Sequence, residues 1–220
     1  GTANIEFETL TSMTNYWINA VPYTSLVPKA GNIPSIAQYL KSKDFISTAI
    51  HPYNGGMYKR NISLRNEGFD TFITQSEMKY TEKEGNSEYI NDKSAYNETL
   101  DVLKSTDENQ IIGLITMQNH TPYFKDNFSE INFTLNNTNL PEDRKNTIEA
   151  YYQSLHLSDR YLGEFINEVS QLEKKVIVLF FGDHSAGLFD LTNSHSEKEV
   201  RDLSRITPYF FYANYDNAFT

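Results

Sequence analysis

An apolar run at residues 176–181 is the feature that most constrains how this chain can fold. Six consecutive β-branched, aliphatic and aromatic residues predict a strand that is buried on both faces. The run stops at Gly182, and Asp183 and His184 follow immediately. In open α/β sheets, ligands bind at the carboxyl ends of the strands. We therefore expect Asp183 and His184 to hold a metal ion or a reacting group at such an edge.

The rest of the chain alternates short strands with helical segments. Apolar runs predict strands at residues 45–50, 69–73, 111–117, 176–181 and 207–213. Helical spacing predicts helices starting near residues 2, 34, 57, 92 and 141, and the second should bury Ile36, Tyr39 and Leu40. This alternation predicts an α/β fold, with a mainly parallel sheet and helices on both faces, in one domain spanning residues 1–220.

Composition excludes several classes of function. Hydrophobic residues make up 39% of the 220 residues, which is enough for a folded core. The net charge is −10 and no basic stripe stands out, so we expect no nucleic-acid partner. The chain has no cysteine, which excludes thiolate metal sites and cysteine nucleophiles. No apolar run approaches the roughly 20 residues of a membrane span.

Histidines follow three of the predicted strands at the point where each strand ends. His51 follows the first, Asn119 and His120 follow the third, and Asp183 and His184 follow the fourth. One such histidine would most simply cap its strand, but the carboxyl ends of parallel strands meet at one edge. Three together therefore favour a site. Imidazole and carboxylate suit Zn²⁺ or Mn²⁺, although two adjacent ligands need further partners.

Two other side chains have the chemistry of a phosphate site. Thr2 lies at the start of a predicted helix, where the positive end of the helix favours an alkoxide and an incoming phosphate. By local sequence alone, Thr2 is better interpreted as an ordinary helix cap. Arg60 offers a planar guanidinium to a phosphate, or it is a solvated surface residue.

Five motifs in this order and spacing resemble one known family. They are GTANIEF at residues 1–7, HPYNGGMYKR at 51–60, GFDTF at 68–72, NHTP at 119–122 and FGDH at 181–184. Together they resemble the catalytic domain of lipoteichoic acid synthases and related phosphoglycerol transferases. These enzymes belong to the sulfatase-like branch of the alkaline phosphatase superfamily. The resemblance extends over nearly the whole chain.

The resemblance implies roles for individual residues. Thr2 would be the nucleophile and a metal ligand, and Asp183 and His184 would be further ligands. Mn²⁺ is the ion that the family usually binds, with Zn²⁺ or Mg²⁺ as alternatives. Arg60 and His120 would bind the phosphate or glycerol of the substrate, as would two further side chains. These two are His51, where the family also has histidine, and Tyr58, where the synthases carry tryptophan.

The resemblance also implies what surrounds this domain. The family's remaining metal ligand is a glutamate on a strand upstream of the nucleophile. We therefore expect residues 1–220 to be a single sulfatase-like domain fragment that lacks its first strand and C-terminal segment. Full-length relatives are anchored by transmembrane helices, which implies that this domain works on the extracellular side of the cell membrane. Its partners would be an anionic phospholipid headgroup and a glycerol-phosphate or glycan acceptor.

Three functions are compatible with the sequence. The first is metal-dependent transfer of phosphoglycerol from a phosphatidylglycerol-type lipid to a polymer or glycan hydroxyl, through a phosphorylated Thr2. The second is a phosphoethanolamine transferase or phosphodiesterase of the same superfamily, whose members resemble residues 51–60 less. The third is a catalytically silent binding domain, which stays open because the expected glutamate ligand is absent from this chain.

Overall fold

The computed structural model describes residues 1–136, 139–188, 196–203 and 205–219. Its helices are α1 (Thr2–Thr11), α2 (Pro22–Ser25), α3 (Val27–Ala30), α4 (Ile36–Lys41), α5 (Arg60–Asn66), α6 (Asp92–Lys104), α7 (Glu142–Ser170) and α8 (Glu197–Leu203). Short 3₁₀ helices occupy Met57–Lys59 and Lys125–Asn127. The strands are β1 (Ile46–His51), β2 (Thr71–Thr74), β3 (Gln110–Leu114), β4 (Ile177–Phe181) and β5 (Tyr209–Ala213).

The first three strands form a parallel sheet in the order β2-β1-β3. Ala49 in the central strand β1 pairs with Phe72 in β2 and with Gly113 in β3. The parallel direction confirms the predicted α/β class and places the ends of β1 and β3 at one edge. β4 and β5 form a separate antiparallel pair, in which Leu179 lies opposite Phe211.

The prediction that strand 176–181 is buried on both faces is wrong for the part of the chain that the structure describes. Exposure alternates along β4, and Ile177, Leu179 and Phe181 are exposed on one side. The other side packs through Val178 against a core cluster that includes residues of α7. A strand with a period of two in its burial has one covered face and one open face. An unbroken apolar run could not reveal this difference.

Two apolar clusters cover opposite faces of the parallel sheet. The first contains Ala49 of β1 together with buried side chains from α1 to α5. The second contains buried side chains of α6 and α7, with Leu114 of β3 packed against it. Because Leu114 pairs with Ile50, the neighbour of Ala49, the two clusters lie on different sides of the sheet. Helices therefore cover both faces, as predicted.

The helix α4 shows the limit of reading burial from a short apolar pattern. Ser35 caps it by accepting a hydrogen bond from the backbone N–H of Gln38. Ala37 is the buried residue, whereas Ile36 and Tyr39 are 42% and 60% exposed, so the expected inward face is wrong. Gly68 lies against this helix with φ +99°, and a Cβ there would come within 2.9 Å of the Gln38 backbone nitrogen. Only glycine fits this junction.

None of the helices in the described ranges combines the length and the apolar character that a membrane span requires.

Glu67 is a fully buried carboxyl group at the end of α5. The hydroxyl of Tyr23 donates to its Oε2 at 2.7 Å. Burial raises the pKa of Glu67 to about 8, with Glu6 nearby adding to the rise, while the Tyr23 hydrogen bond opposes it. The folded state therefore favours the protonated carboxyl group.

This raised pKa predicts a pH-dependent stability that Glu67→Gln should remove. A raised carboxyl pKa stabilises the fold fully below about pH 4.5, and the contribution is lost as the pH rises towards 8. Between pH 5 and pH 7, the unfolding free energy of the wild type should fall by about 2 to 3 kcal/mol relative to Glu67→Gln. Urea denaturation of both proteins at each pH measures the difference. A difference that stays constant with pH would contradict the raised pKa.

Candidate active site

The hydroxyl of Thr2, the carboxylate of Asp183 and the imidazole of His184 meet at one point. Thr2 is the first residue of α1 after the N-cap Gly1, and its hydroxyl donates a short hydrogen bond to Asp183 Oδ2. Its Oγ1 lies 3.4 Å from His184 Nε2, and that nitrogen lies 3.3 Å from Asp183 Oδ2. The local sequence suggested that the side chain of Thr2 caps the helix, but it does not. It faces the end of β4.

The hydrogen bonds around His184 leave its Nε2 available as a ligand. Its Nδ1 lies 2.9 Å from the carbonyl oxygen of Ser185, which can only accept, so the ring proton is on Nδ1. The backbone N–H of His184 donates to Asp183 Oδ1 at 2.8 Å, and Oδ2 is left facing Thr2. Histidines that bind metals commonly donate the other ring N–H to a carbonyl or carboxylate in this way.

Two of the three separations among these donor atoms fit a small divalent cation, and the third, between Thr2 and Asp183, is a hydrogen-bond contact. In a tetrahedral site with bonds of about 2.0 Å, neighbouring donors lie roughly 3.3 Å apart, close to the separations measured from His184 Nε2. The side chains of Asp183 and His184 are 37% and 48% exposed, so an ion can reach them. Among the residues that the structure describes, no three His, Cys, Asp or Glu side chains are grouped closely enough to hold a metal. The candidate centre thus consists of two such side chains and a hydroxyl.

Arg60 is not a solvated surface residue, because it forms a buried ion pair with Glu6. The two residues are 2% and 7% exposed. Arg60 Nε lies 3.0 Å from Glu6 Oε2, and Nη2 lies 2.5 Å from Oε1. A third N–H, on Nη1, points to His51 Nε2 at 3.3 Å. A guanidinium has five N–H groups, so two remain for a further oxygen.

The ion pair fixes Arg60 close to the candidate nucleophile. Glu6 follows Thr2 by four residues in α1, so their side chains lie on the same face of the helix, one turn apart. Side chains with this spacing have Cβ atoms about 5 to 6 Å apart. The helix therefore carries Thr2 towards the end of β4 and holds Arg60 beside it through Glu6.

His51 lies behind Arg60. The ring is fully buried, and its Nδ1 lies 3.0 Å from the carbonyl oxygen of Ile115. Nδ1 must therefore donate, which leaves Nε2 to accept the hydrogen bond from Arg60. Burial, and after it the charge of Arg60, lowers the pKa of His51 to about 4. A neutral His51 orients the guanidinium, and both of its ring nitrogens are engaged in doing so.

Tyr58 covers the other side of the guanidinium. The Arg60 guanidinium carbon lies 5.2 Å from the centre of the Tyr58 ring, within the range of a cation–π contact. Tyr58 and Lys59 both adopt left-handed backbone conformations, with φ of 55° and 56°. Two successive non-glycine residues in this region are uncommon and mark a constrained turn. The turn sets the Tyr58 ring against Arg60.

A row of aromatic rings connects His51 with His120. His51, Tyr53, Tyr89 and His120 pack edge to face in that order, with centroid separations of 6.2, 5.7 and 5.4 Å. The Tyr89 hydroxyl lies 3.1 Å from His120 Nδ1 and 2.9 Å from the carbonyl oxygen of Thr121. Two histidines from the ends of β1 and β3 thus belong to one wall.

Asn119 binds α7 through two hydrogen bonds and thereby anchors the loop that contains His120. Its Oδ1 accepts a hydrogen bond from Ser154 at 2.6 Å, and its Nδ2 donates to Ser158 Oγ at 2.8 Å. The Ser158 hydroxyl donates in turn to Asp92 at the start of α6, at 2.6 Å. Ser154 and Ser158 lie one helical turn apart, so the loop is bound to two successive turns of α7.

Sequence reasoning missed Glu6 and Tyr89. A signal existed for Glu6, because a carboxylate four residues after Thr2 on a predicted helix shares its face. Tyr89 lies between β2 and α6, in a polar segment that lacks the periodicity of a helix or a strand. Its proximity to His120 arises from tertiary packing, which no local pattern encodes.

Comparison with known proteins places the chain in a family. A sequence model of the sulfatase family matches residues 1–218. The chain is 26% identical over 185 residues to a protein assigned to cyclic β-1,2-glucan modification in Rhizobium meliloti (strain 1021). It is also 26% identical over 199 residues to lipoteichoic acid synthase 2 of Bacillus subtilis (strain 168). These matches cover 83% and 87% of this chain but 28% of each relative.

A solved structure shows the same fold. The phosphoglycerol transferase GacH of Streptococcus pyogenes, in complex with sn-glycerol-1-phosphate, superimposes with a TM-score of 0.81 at 28% identity. The match covers 97% of this chain and 55% of that one, so the chain spans only part of the length of each protein compared. The predicted membership in the sulfatase family is confirmed.

Divalent cations should stabilise the protein through the candidate centre. A ligand that binds only the folded state adds about 2.7 kcal/mol at a hundredfold excess over its Kd. We expect Mn²⁺ to raise the Tm of the wild type, and Asp183→Asn and His184→Ala each to abolish the rise. His156→Ala removes an exposed histidine on α7 and should keep the full rise. Thermal denaturation with Mn²⁺, Zn²⁺ and Mg²⁺ tests this, and equal shifts in all variants would rule out the centre.

The buried ion pair should contribute strongly to the fold. Arg60→Gln leaves Glu6 buried without its partner and should cost about 3 to 5 kcal/mol in urea denaturation. The double variant Glu6→Gln/Arg60→Gln should recover part of this loss, because it leaves no unpaired charge. The exposed pair Lys104–Glu168 provides the control, and Lys104→Gln should cost under about 1 kcal/mol. Equal costs for the two pairs would contradict the role given to the buried one.

Proposed function

Because the chain belongs to the sulfatase family, we propose that it is the catalytic part of a phosphoglycerol transferase. The enzyme takes a phosphoglycerol group from a phosphatidylglycerol-type lipid and passes it to a hydroxyl of a polymer or glycan. Residues 1–220 form one catalytic unit of a longer protein that is anchored at the extracellular side of the membrane. The convergence of Thr2 with Asp183 and His184 is the observation that carries this proposal.

Thr2 has the setting of a nucleophile. Its hydroxyl is held by Asp183 at the positive end of α1, where a negative oxygen is favoured. Oγ1 attacks the phosphorus of the lipid headgroup, and the bond from phosphorus to the diacylglycerol oxygen breaks. Diacylglycerol leaves with a proton, and a phosphoglycerol ester of Thr2 remains. An acceptor hydroxyl then attacks the same phosphorus, the bond to Oγ1 breaks, and the proton lost by the acceptor returns to Oγ1.

Thr2, Asp183 and His184 are the residues that would hold a divalent ion. We propose Mn²⁺, with Zn²⁺ or Mg²⁺ as alternatives, and the chemistry of the three donors suits these ions. When bound, such an ion would act as a Lewis acid that lowers the cost of a threonine alkoxide and of charge on phosphate. Nε2 of His184 and Oδ2 of Asp183 both face Thr2, which supports this ligand set.

The substrate side of the proposed site consists of Arg60, Tyr58, His51 and His120. The two remaining N–H groups of Arg60 bind phosphate oxygens, since a planar guanidinium matches their geometry. His51 orients that guanidinium from behind, and Tyr58 flanks it next to the headgroup. His120 contacts the phosphoglycerol group from the end of β3.

Thr2→Ala in the full-length protein should abolish transfer, while Thr2→Ser should keep a measurable part of it. Loss of a covalent nucleophile lowers turnover by about 10³-fold or more. Release of diacylglycerol from labelled phosphatidylglycerol measures turnover, and mass spectrometry of the trapped wild type should find phosphoglycerol on Thr2. Near-normal turnover by Thr2→Ala would show that another group is the nucleophile.

The identity of the lipid donor distinguishes the proposed function from the alternative functions. We expect diacylglycerol to be released from phosphatidylglycerol and not from phosphatidylethanolamine. Release from phosphatidylethanolamine alone would identify a phosphoethanolamine transferase. Release of phosphoglycerol to water, with no gain on adding glycan or polymer acceptors, would identify a phosphodiesterase. Absence of release from either lipid, by a full-length protein that binds them, would identify a binding domain.

A further inference from the structure

The hydrogen bonds around His120 determine which of its ring nitrogens carries the proton. Its Nδ1 lies 2.7 Å from the carbonyl oxygen of Thr121 and 3.1 Å from the Tyr89 hydroxyl. The Tyr89 hydroxyl donates its own proton to the same carbonyl at 2.9 Å. A carbonyl supplies no proton, so the contacts are all satisfied only if Nδ1 is protonated.

A bare Nδ1 would conflict with this arrangement. Its lone pair would face the Thr121 carbonyl oxygen at 2.7 Å, and turning the Tyr89 proton towards it would take that donor from the carbonyl. In the neutral ring the proton is therefore on Nδ1, and Nε2 has a free lone pair. Within the described parts of the chain, Nε2 of His120 has no hydrogen-bond partner.

Tyr89 is held firmly beside the Nδ1–H that the Thr121 carbonyl accepts, and its hydroxyl oxygen is a second acceptor. It is 8% exposed, and its ring packs edge to face against Tyr53 on one side and His120 on the other. Burial raises the pKa of Tyr89, with Tyr53 adding to the rise, so the hydroxyl keeps its proton.

We propose that Tyr89 is a positioning residue that, as a second acceptor beside the Thr121 carbonyl, holds His120 with Nδ1 protonated, so that Nε2 accepts a hydrogen bond from a substrate hydroxyl. This rests on the proposed phosphoglycerol transfer and makes it more specific. A neutral ring with a bare Nε2 cannot donate to an anionic phosphate oxygen. Arg60 then binds phosphate, and His120 selects for a hydroxyl. That hydroxyl belongs either to the glycerol of the donor or to the acceptor.

The tautomer itself can be measured without any catalysis. In ¹⁵N-histidine NMR of the protein, above the pH at which the imidazoles titrate, His120 should show a protonated Nδ1 and a bare Nε2. His120→Gln identifies the signals. Tyr89→Phe removes only the hydroxyl and should shift the ring towards the other tautomer, whereas Tyr53→Phe, in the neighbouring ring, should not. A protonated Nε2 in the wild type, or no change in Tyr89→Phe, would overturn the positioning role.

Ligand titrations distinguish the two sources of the hydroxyl. Weaker binding of sn-glycerol-1-phosphate to Tyr89→Phe, by about tenfold with methyl phosphate unaffected, would assign the glycerol hydroxyl. Unchanged binding of both, with transfer by the full-length protein slowed about tenfold, would assign the acceptor hydroxyl. If Tyr89→Phe weakens the binding of both ligands equally, His120 contacts the phosphate and the proposal is overturned.

Failure of the proposed function would give a different result. If neither lipid supports diacylglycerol release, phosphoglycerol transfer is wrong whatever the tautomer of His120. The NMR measurement still decides whether Tyr89 controls that tautomer. A confirmed tautomer together with an inactive parent would keep the positioning role and exclude the hydroxyl substrate.

Discussion

The buried contact between Glu6 and Arg60 is the interaction on which the rest of the candidate site depends. It joins α1 to the start of α5, two parts of the chain 54 residues apart, and it holds a cation where water is excluded. Removing two charges from water is costly, and the attraction between them offsets that cost only with good geometry and further hydrogen bonds. His51 supplies one such bond, and Tyr58 supplies an aromatic face. The position of the guanidinium is therefore determined before any substrate arrives.

The two sides of the candidate site are held in place by different interactions: an ion pair on one side and uncharged hydrogen bonds on the other. On the β1 side, charge does the positioning, and the neutral histidine behind Arg60 adjusts its direction. On the β3 side, uncharged hydroxyl and amide groups hold the loop through Asn119, Ser154 and Ser158. Thr2, the proposed nucleophile, lies at a helix start between them, opposite a strand end that contributes a carboxylate and an imidazole. The charged ion pair thus positions Arg60, which would bind phosphate. Uncharged hydrogen bonds position His120, which would contact a hydroxyl.

Much of this arrangement could be predicted from the sequence, for identifiable reasons. Alternating strands and helices imply a parallel sheet, and a parallel sheet brings strand ends together, so the closeness of His51 and His120 followed from topology. The position of Asp183 did not, because β4 pairs with β5 in a separate sheet. The direction of β5 and the open face of β4 did not follow, because an apolar run has the same composition whether one face or two are covered. Burial of Arg60 was missed because its partner, Glu6, is contributed by a distant helix. Local periodicity carries no information on such pairs.

The double attachment of Asn119 to α7 limits how the His120 loop can move. Its two serine partners are spaced by one turn of a 29-residue helix, so a small slide along that helix breaks both bonds without forming new ones. A shift by a whole turn, about 5.4 Å, would bring Ala150 or Leu162 to one of the two serine positions, and neither has a hydroxyl. The loop therefore has one position on α7 in which both amide atoms of Asn119 are bonded. The placement of His120 thus depends on two serine hydroxyls that do not touch it.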